Sequence, residues 1–443
     1  MRIIFSKNNG SVLRLLIVAV MLVAASPALW AEEKEPPPAP KPAAEAAATK
    51  GAEGPAQTQP NVDVTHVSAT SKGPKVDIYG FAMLDMGHDF GQVDPAWFDV
   101  IRPTKLPAFE DQFCCDGNFY SGVRQSRFGV KGFFPTSIGE LKTTFEFELF
   151  GTGVDAGQTT LRLRHAYGEI GPIGAGQTWS PFMDPDVFPN SVEYWGPTGM
   201  VFFRNVQFRY MPFRGDTTVI LALERPGASG DQGVYADRIE LQNIRPSFPI
   251  PDFSYQVRRK GDWGHVQFSG IVRRIEWDDT LADQFDLADR VTGFGFNLST
   301  NLKIAKDTIR ASVVYGEGIQ NYMNDAPTDI GIENNFSDPL RPILGKPLPI
   351  LGVVAFYDRT WSDRFTSSIG YSMIDIDNTS GQADAAFRQG HYGLANVMFY
   401  PVAGAMLGPE VQWGRRENFR DGWNYDDFRV QFSAKYNFST SIE

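Results

Sequence analysis

Residues 122–150 read GVRQSRFGVKGFFPTSIGELKTTFEFELF and indicate the fold most directly. They contain two runs of alternating polar and apolar residues, joined by a short turn rich in Pro, Ser and Gly. In the first run Arg127 and Lys131 share one face, whereas Phe128 and Val130 share the other. Because successive side chains of a strand point to opposite sides of a sheet, each run is predicted to be a β-strand with one ionised and one apolar face.

The same alternation continues to the end of the chain, and its apolar face is rich in Phe and Tyr. No apolar run after the N-terminal region approaches the roughly 20 residues of a membrane-spanning helix. The pattern is therefore typical of an all-β fold, a transmembrane antiparallel β-barrel of about 16 strands over residues 76–438, with lipid outside and a polar lumen. The predicted strands are approximately 76–86, 122–134, 140–150, 160–170, 173–179, 201–211, 216–225, 252–260, 264–277, 289–302, 307–316, 349–359, 363–376, 387–400, 403–417 and 425–438.

The connections between these segments alternate in length. They are tight after even-numbered strands and mostly longer after odd-numbered strands, which is how an outer-membrane barrel is polarised. The short turns are expected on the periplasmic side, together with both chain termini, and the long loops outside the cell. The predicted long loops are 87–121, 151–159, 180–200, 226–251, 278–288, 317–348, 377–386 and 418–424.

Residues 1–31 have the pattern of a secretory signal peptide. Three basic residues precede the apolar run Leu15–Ala25, and small residues up to Ala31 offer cleavage points. The alternative is an uncleaved anchor helix, but this apolar run is short of the roughly 20 residues that a span requires. A barrel behind a signal peptide predicts the outer membrane of a Gram-negative bacterium.

Two segments flank the predicted barrel. Residues 32–75 are rich in Ala, Pro, Glu and Lys and lack the apolar residues of a core, so they are predicted to form a disordered periplasmic segment. Such a segment could serve as a spacer or as a peptidoglycan or oligomer contact. Residues 439–443 follow the last predicted strand as a short C-terminal tail.

The inward faces of the predicted strands carry many cations. By alternation, twelve of them face the lumen against four acids, although the formal net charge of the chain is −11. Arginines around a constricted pore attract anions, and the planar guanidinium matches a carboxylate. Alternatively, the arginines pair with acidic neighbours across the lumen. The cations are Arg127, Lys131, Lys142, Arg162, Arg164, Arg209, Arg258, Arg273, Arg310, Arg416, Arg429 and Lys435, and the acids are Glu146, Glu148, Glu224 and Glu410. All of these cations except Lys142, Arg416 and Lys435 are taken as candidate pore-lining residues.

The loop over residues 180–200 is long and rich in Pro, Asp and aromatic residues. A loop at this position of a sixteen-stranded barrel commonly folds inward and narrows the channel. Asp184, Asp186, Glu193 and Tyr194 are then predicted to border the constriction. A loop lying on the outer rim is the alternative.

Other chemistry finds little support in the sequence. Cys114 and Cys115 are adjacent and could form a vicinal disulfide or stay reduced. A metal site is not expected, because there is no Cys-x-x-Cys motif and the five histidines are scattered. The motifs of hydrolases, phosphate loops and nucleic-acid binding are also missing from the sequence. We therefore expect no enzyme activity, no cofactor and no nucleic-acid partner.

Four stretches resemble the DcaP-like porin family of Gram-negative outer membranes: Ser126–Phe134, Leu161–Glu169, Gly176–Pro185 and Trp195–Gly199. The resemblance covers most of residues 76–438. It implies a trimer of sixteen-stranded barrels that passes small anionic solutes, dicarboxylates among them.

The sequence thus predicts a passive porin for small anionic solutes with an arginine-biased lumen. Its expected partners are outer-membrane lipid and lipopolysaccharide, two further copies of the chain, and the solutes themselves. One alternative is a saturable, substrate-specific channel. Another is a structural or adhesion barrel with a periplasmic tether.

Overall fold

The computed structural model describes residues 73–443. The predicted signal peptide and residues 32–72 of the segment that follows it lie outside the described residues. Within residues 73–443, no helix is long and apolar enough to cross a membrane.

The described residues form a closed antiparallel barrel. One sheet contains 19 strands, of which three are short additions, Asn118–Gly122, Ile244–Ser247 and Met398–Phe399. The other sixteen strands form the wall of the barrel, so the predicted fold class is confirmed. They are β1 (Lys75–Asp89), β2 (Arg127–Thr136), β3 (Gly139–Phe150), β4 (Thr159–Ile170), β5 (Ile173–Trp179), β6 (Arg204–Arg214), β7 (Thr217–Glu224), β8 (Asp252–Gly261), β9 (Gly264–Asp279), β10 (Asp289–Ile304), β11 (Asp307–Glu317), β12 (Pro349–Ser362), β13 (Phe365–Ile376), β14 (Phe387–Asn396), β15 (Ala405–Asn418) and β16 (Asn424–Ile442).

The barrel closes because β16 pairs with β1. Gly80 lies opposite Phe438, and Asp89 lies opposite Arg429. Each remaining strand pairs with its neighbours in the chain, so that no barrel strand is left with an open edge.

The apolar residues of the alternating strands face outward and the polar residues face inward, as the sequence predicts. On β16, the side chain of Phe428 is 53% exposed on the outer wall, whereas its neighbour Arg429 is fully buried inside. Val430 and Phe432 continue the outer apolar row, and Gln431 continues the inner polar row. An apolar outer face suits lipid, in which an exposed charge would be costly.

Several strand boundaries differ from the expectation, and two of them change its interpretation. β2 begins at Arg127 rather than at residue 122. β16 continues to Ile442, because residues 439–442 pair with residues 76–79 of β1. The predicted C-terminal tail is therefore mostly strand, since β1 begins early enough to provide a partner for it.

The long loops leave one end of the barrel, and three of them matter for the interior. We name them L1 (residues 90–126), L3 (residues 180–203) and L6 (residues 318–348). L6 contains a hairpin, Ile330–Asn334 paired with Ile343–Pro347. Short 3-10 helices occur at Pro95–Trp97, Pro103–Lys105, Gly153–Asp155, Pro185–Val187, Gly233–Tyr235, Ile239–Leu241 and Gln320–Tyr322.

A hydrophobic core lies inside the barrel, where L3 and L6 pack against the wall. Phe182 and Met200 of L3 and Tyr322 of L6 are buried in one cluster with Val314 of β11 and Ile374 of β13. A barrel lumen that was merely a wet pore would have no such cluster. The interior is therefore partly filled by loops.

Candidate functional site

L3 enters the barrel and is fixed first to the wall formed by β9 and β10. The carboxylate of Asp184 lies 2.7 Å from His265 Nε2 and accepts a hydrogen bond of 2.6 Å from the Ser299 hydroxyl. Arg258 pairs with the same carboxylate at 3.5 Å and also with Asp186. Asp184 is therefore an anchor of the loop rather than a residue that lines open channel.

The middle of L3 crosses to the opposite wall. Backbone N–H groups of Val192 and Glu193 donate to the Glu410 carboxylate of β15 at 2.9 and 3.1 Å. Asn396 of β14 donates to the Asn190 carbonyl at 2.7 Å. Because its attachments lie on both sides of the barrel, L3 runs through the lumen and does not lie on the outer rim.

The last part of L3 returns along the wall. The Tyr194 hydroxyl donates to Glu148 of β3. The Gly199 N–H donates to the Ser372 hydroxyl at 2.8 Å, and a Cβ at Gly199 would overlap the backbones of Val353 and Met373. Only glycine permits this close approach.

The four residues predicted to border the constriction thus have a different role from the expected one. Asp184, Glu193 and Tyr194 are buried, and Asp186 is partly exposed. Each binds another part of the barrel, because acids and hydroxyls of an inward loop must find partners once water is excluded. They hold the constriction loop in place, and Asp186 alone retains an accessible side chain among them.

L1 and L6 interlock with L3 through Arg102, which sequence reasoning missed. Its guanidinium carbon lies 4.1 and 4.0 Å from the ring centroids of Trp97 and Trp195, and the two rings also contact each other edge to face. Its Nε donates to Asp325 of L6 at 2.9 Å. Three loops far apart in the sequence meet here, so no local spacing could have indicated it.

An arginine cluster lies on the wall formed by β2, β3, β4 and the start of β6. We define it as Arg127, Arg162, Arg164 and Arg204 around Glu146 and Glu148. Arg164 makes the short contacts, 2.6 Å to Glu146 and 2.5 Å to Glu148. The other contacts of this cluster to these carboxylates are 3.5 or 3.6 Å long. Four guanidinium groups against two carboxylates leave two positive charges in excess.

The charges of this wall are layered. Glu146 and Glu148 are each 1% exposed. In contrast, the side chain of Arg162 is 28% exposed, that of Lys142 is 23% exposed, and Lys131 is also partly exposed. The acids therefore lie beneath the surface, and the cations keep part of their side chains exposed.

The other predicted pore-lining arginines are committed to partners within the wall. Arg209 donates to the Trp179 carbonyl at 2.6 Å, Arg273 pairs with Asp252 and Asp329 at 3.0 and 2.9 Å, Arg310 with Asp358 at 2.6 Å, and Arg429 with Asp89 at 2.5 Å. The charges of Arg273, Arg310 and Arg429 are therefore balanced locally. Pairing with acids describes these three better than a free ring of arginines, but the acids lie on adjacent strands or on L6 rather than across the lumen.

The expected count of four inward acids is wrong. Asp85 and Asp89 of β1, Asp252 of β8 and Asp427 of β16 are also buried in the interior, as is Asp329 of L6. Most of them lie at strand ends or on an inward loop, where alternation assigns a side chain poorly. The interior charges are therefore less lopsided overall than predicted.

One group within residues 73–443 brings together atoms that could hold a metal ion, Asp184, Asp186 and His265, with ligand atoms within 4.8 Å of one another. The guanidinium of Arg258 already contacts both carboxylates. A cation at this position would compete with that guanidinium, so the group is best described as the ion-paired anchor of L3.

The carboxyl of Glu193 provides a test of how L3 is held. Burial raises the pKa of Glu193 to about 8, above its ordinary value of 4.5. The folded protein therefore keeps this carboxyl neutral at pH 6, whereas the unfolded chain ionises it. Stability from this group is fully present below the unfolded pKa and is lost as the pH rises through the folded pKa.

We expect the free energy of unfolding to fall by about 2 kcal/mol between pH 6 and pH 8 through this group. Urea unfolding at several pH values measures it. Glu193→Gln cannot ionise and should flatten this part of the profile. Identical profiles for the two proteins would contradict the assignment.

Comparison with known proteins agrees with this architecture. The crystal structure of the outer membrane channel DcaP of Acinetobacter baumannii has a TM-score of 0.69 and 20% identity over 84% of this chain and 99% of that one. An anion-selective porin from Comamonas acidovorans has a TM-score of 0.54 and 10% identity over 82% and 100%. The trimer form of OmpT from Vibrio cholerae has a TM-score of 0.50 and 14% identity over 83% and 100%. These likenesses establish the porin-type fold.

A search of curated proteins found no match. The model of a protein family, described as DcaP outer membrane protein, matches residues 55–438. This match includes the whole barrel up to Phe438 and places the protein in the outer membrane of a Gram-negative bacterium. The chain belongs to the DcaP outer membrane protein family.

Proposed function

We propose that the protein is a porin that passes small anionic solutes by diffusion, with the arginine cluster as the element that favours anions. The observation that carries this proposal is the layering of charge on the β2–β4 wall. Glu146 and Glu148 are buried, while Arg162, Lys131 and Lys142 keep exposed surface. The two buried carboxylates still act on an ion in the lumen. They cancel only two of the four guanidinium charges in the arginine cluster, so two positive charges remain in excess.

L3 strengthens the preference for anions by narrowing the lumen. L3 fills part of the cross-section, so a solute must pass close to the remaining wall. Electrostatic selection grows as the distance between a permeating ion and a fixed charge becomes shorter than the screening length, about 8 Å at physiological ionic strength. The constriction thus places solutes within reach of Arg162.

Dicarboxylates are the solute class that this wall fits best. A guanidinium binds a carboxylate through two parallel N–H groups, whereas an ammonium acts as a point charge. A solute with two carboxylates can meet Arg162 and a neighbouring lysine at once. Neutral solutes gain nothing from this arrangement, and cations are repelled by it.

The test is the reversal potential of the purified protein in a planar bilayer under a KCl gradient, repeated with succinate. We expect anion selectivity and a decrease of chloride current when succinate is added. Cation selectivity would overturn the proposal. A barrel that conducts no ions would favour the structural or adhesion alternative instead.

We also propose that the protein assembles as a homotrimer embedded in outer-membrane lipid and lipopolysaccharide. The apolar outer wall, illustrated by Phe428 and Phe432, suits lipid or a neighbouring subunit. The OmpT structure from Vibrio cholerae is described as a trimer form, which supports the same assembly here. Native electrophoresis of the detergent-extracted protein tests the oligomeric state.

A further inference from the structure

L1 carries the only two cysteines of the sequence, Cys114 and Cys115. Both are free and exposed, and their Sγ atoms lie 2.6 Å apart. Sulfur atoms at this distance are closer than ordinary van der Waals contact. The two thiols are therefore already placed for a reaction with each other.

Adjacency in the sequence does not by itself bring two side chains together. In extended backbone, successive side chains point to opposite sides. Cys114 has a φ of 71°, in the left-handed region that non-glycine residues rarely adopt. This conformation turns the two side chains toward the same side of the loop.

The surrounding loop is held by defined hydrogen bonds. The Cys114 N–H donates to the Asp111 carbonyl at 3.2 Å, and the Phe113 N–H donates to the Gln92 side chain at 3.2 Å. The Gln92 N–H in turn donates to the Tyr425 hydroxyl of β16 at 2.6 Å. The dithiol is thus tied to the end of the barrel.

We propose that Cys114 and Cys115 are a reversible modification site, a dithiol that peroxide oxidises to a vicinal disulfide. The outer membrane lies beyond the reductants that keep cytosolic thiols reduced, so a disulfide can persist there. Exposure of both sulfur atoms gives the oxidant access.

The reaction balances with hydrogen peroxide as the two-electron oxidant. One thiolate attacks a peroxide oxygen, the O–O bond breaks, and water leaves after protonation, which produces a sulfenic acid. The second sulfur then attacks the first, the S–O bond breaks, and a second water leaves. Two thiols and one peroxide thus become one disulfide and two waters.

The local charges predict how this rate depends on pH. The pKa of the Cys115 thiol is raised, first by its hydrogen bond with Cys114 and also by the carboxylates of Asp116 and Asp111. Because the thiolate is the nucleophile, closure should become faster as the pH rises above neutrality.

The experiment uses the full chain in detergent, reduced, freed of reductant and then titrated with hydrogen peroxide. We expect the thiol count by Ellman's reagent to fall from two to none, with the intact mass lower by two hydrogens and no covalent dimer. Reduction should restore both thiols. Cys114→Ser and Cys115→Ser are the matched controls, because neither can close a ring.

Intermolecular dimers, or sulfinic acid formed at the same rate in the wild type and the single-cysteine variants, would overturn the proposal. The contribution of the loop is measured by equilibration with glutathione. We expect the disulfide of the folded protein to be about tenfold more stable than that of the urea-unfolded chain. Equal equilibrium constants would show that the loop does not position the sulfurs.

Discussion

Replacing Lys131 and Arg162 together by glutamine is expected to lower the preference of the channel for anions by about fivefold. A unit charge roughly 8 Å from a permeating ion contributes about 0.5 kcal/mol in water. Removing two such charges therefore removes about 1 kcal/mol of attraction, which corresponds to this factor. Both residues lie on the cationic wall and retain exposed surface, so their loss changes the lumen with little change in packing.

The measurement is the reversal potential in a salt gradient, at low and at high ionic strength. The matched control replaces Lys306 and Arg245 by glutamine, because these exposed cations lie in a turn and in the short strand Ile244–Ser247, away from the arginine cluster. The control should keep the selectivity of the wild type. If both double variants behave alike, net charge rather than the position of the wall cations sets selectivity.

Arg164→Met is expected to destabilise the barrel by about 3 kcal/mol, because it removes the closest ion-pair partner of two buried carboxylates. Arg164 is 1% exposed and makes the two shortest contacts of the arginine cluster, to Glu146 and Glu148. Urea unfolding followed by electrophoretic mobility of the folded and unfolded forms measures this loss.

Two further variants separate the buried pair from the surface charge. Arg162→Gln removes a cation of the same cluster that is partly exposed and 3.6 Å from Glu148, so its effect on stability should be small. Combining Arg164→Met with Glu146→Gln should restore part of the stability, because it removes one of the two buried carboxylates that lose their closest partner. Equal stability of Arg164→Met and Arg162→Gln would rule out the special role of Arg164.

These two predictions also separate positions that alternation cannot distinguish. Arg127, Arg162 and Arg164 all belong to inward rows of β2 and β4. Arg127 and Arg164 are buried against the glutamates, whereas Arg162 is partly exposed. Reversing the charge of Arg127 and Arg164 would therefore test folding, whereas changing Arg162 tests selectivity.

The period-two pattern determined most of the architecture without the tertiary structure. It predicted the class of fold, the number of strands and the face of each strand. This is possible because lipid-facing positions require apolar residues and lumen-facing positions accept polar ones, so the two alternate along each strand. Residues such as Phe428 and Arg429 could be assigned to opposite faces on this basis alone. The alternation of short and long connections predicted the polarity of the barrel in the same way.

The filling of the interior could be found only in the tertiary structure. The path of L3, the ion pair of Arg273 with Asp329, and the contact of Arg102 with both Trp97 and Trp195 depend on loops that meet across the barrel. These loop residues have no periodic pattern, and the free energy of each contact comes from a partner far away in the sequence. The wall of the barrel could therefore be predicted from the sequence, whereas contacts between distant loops and strands determine which of its charges stay exposed.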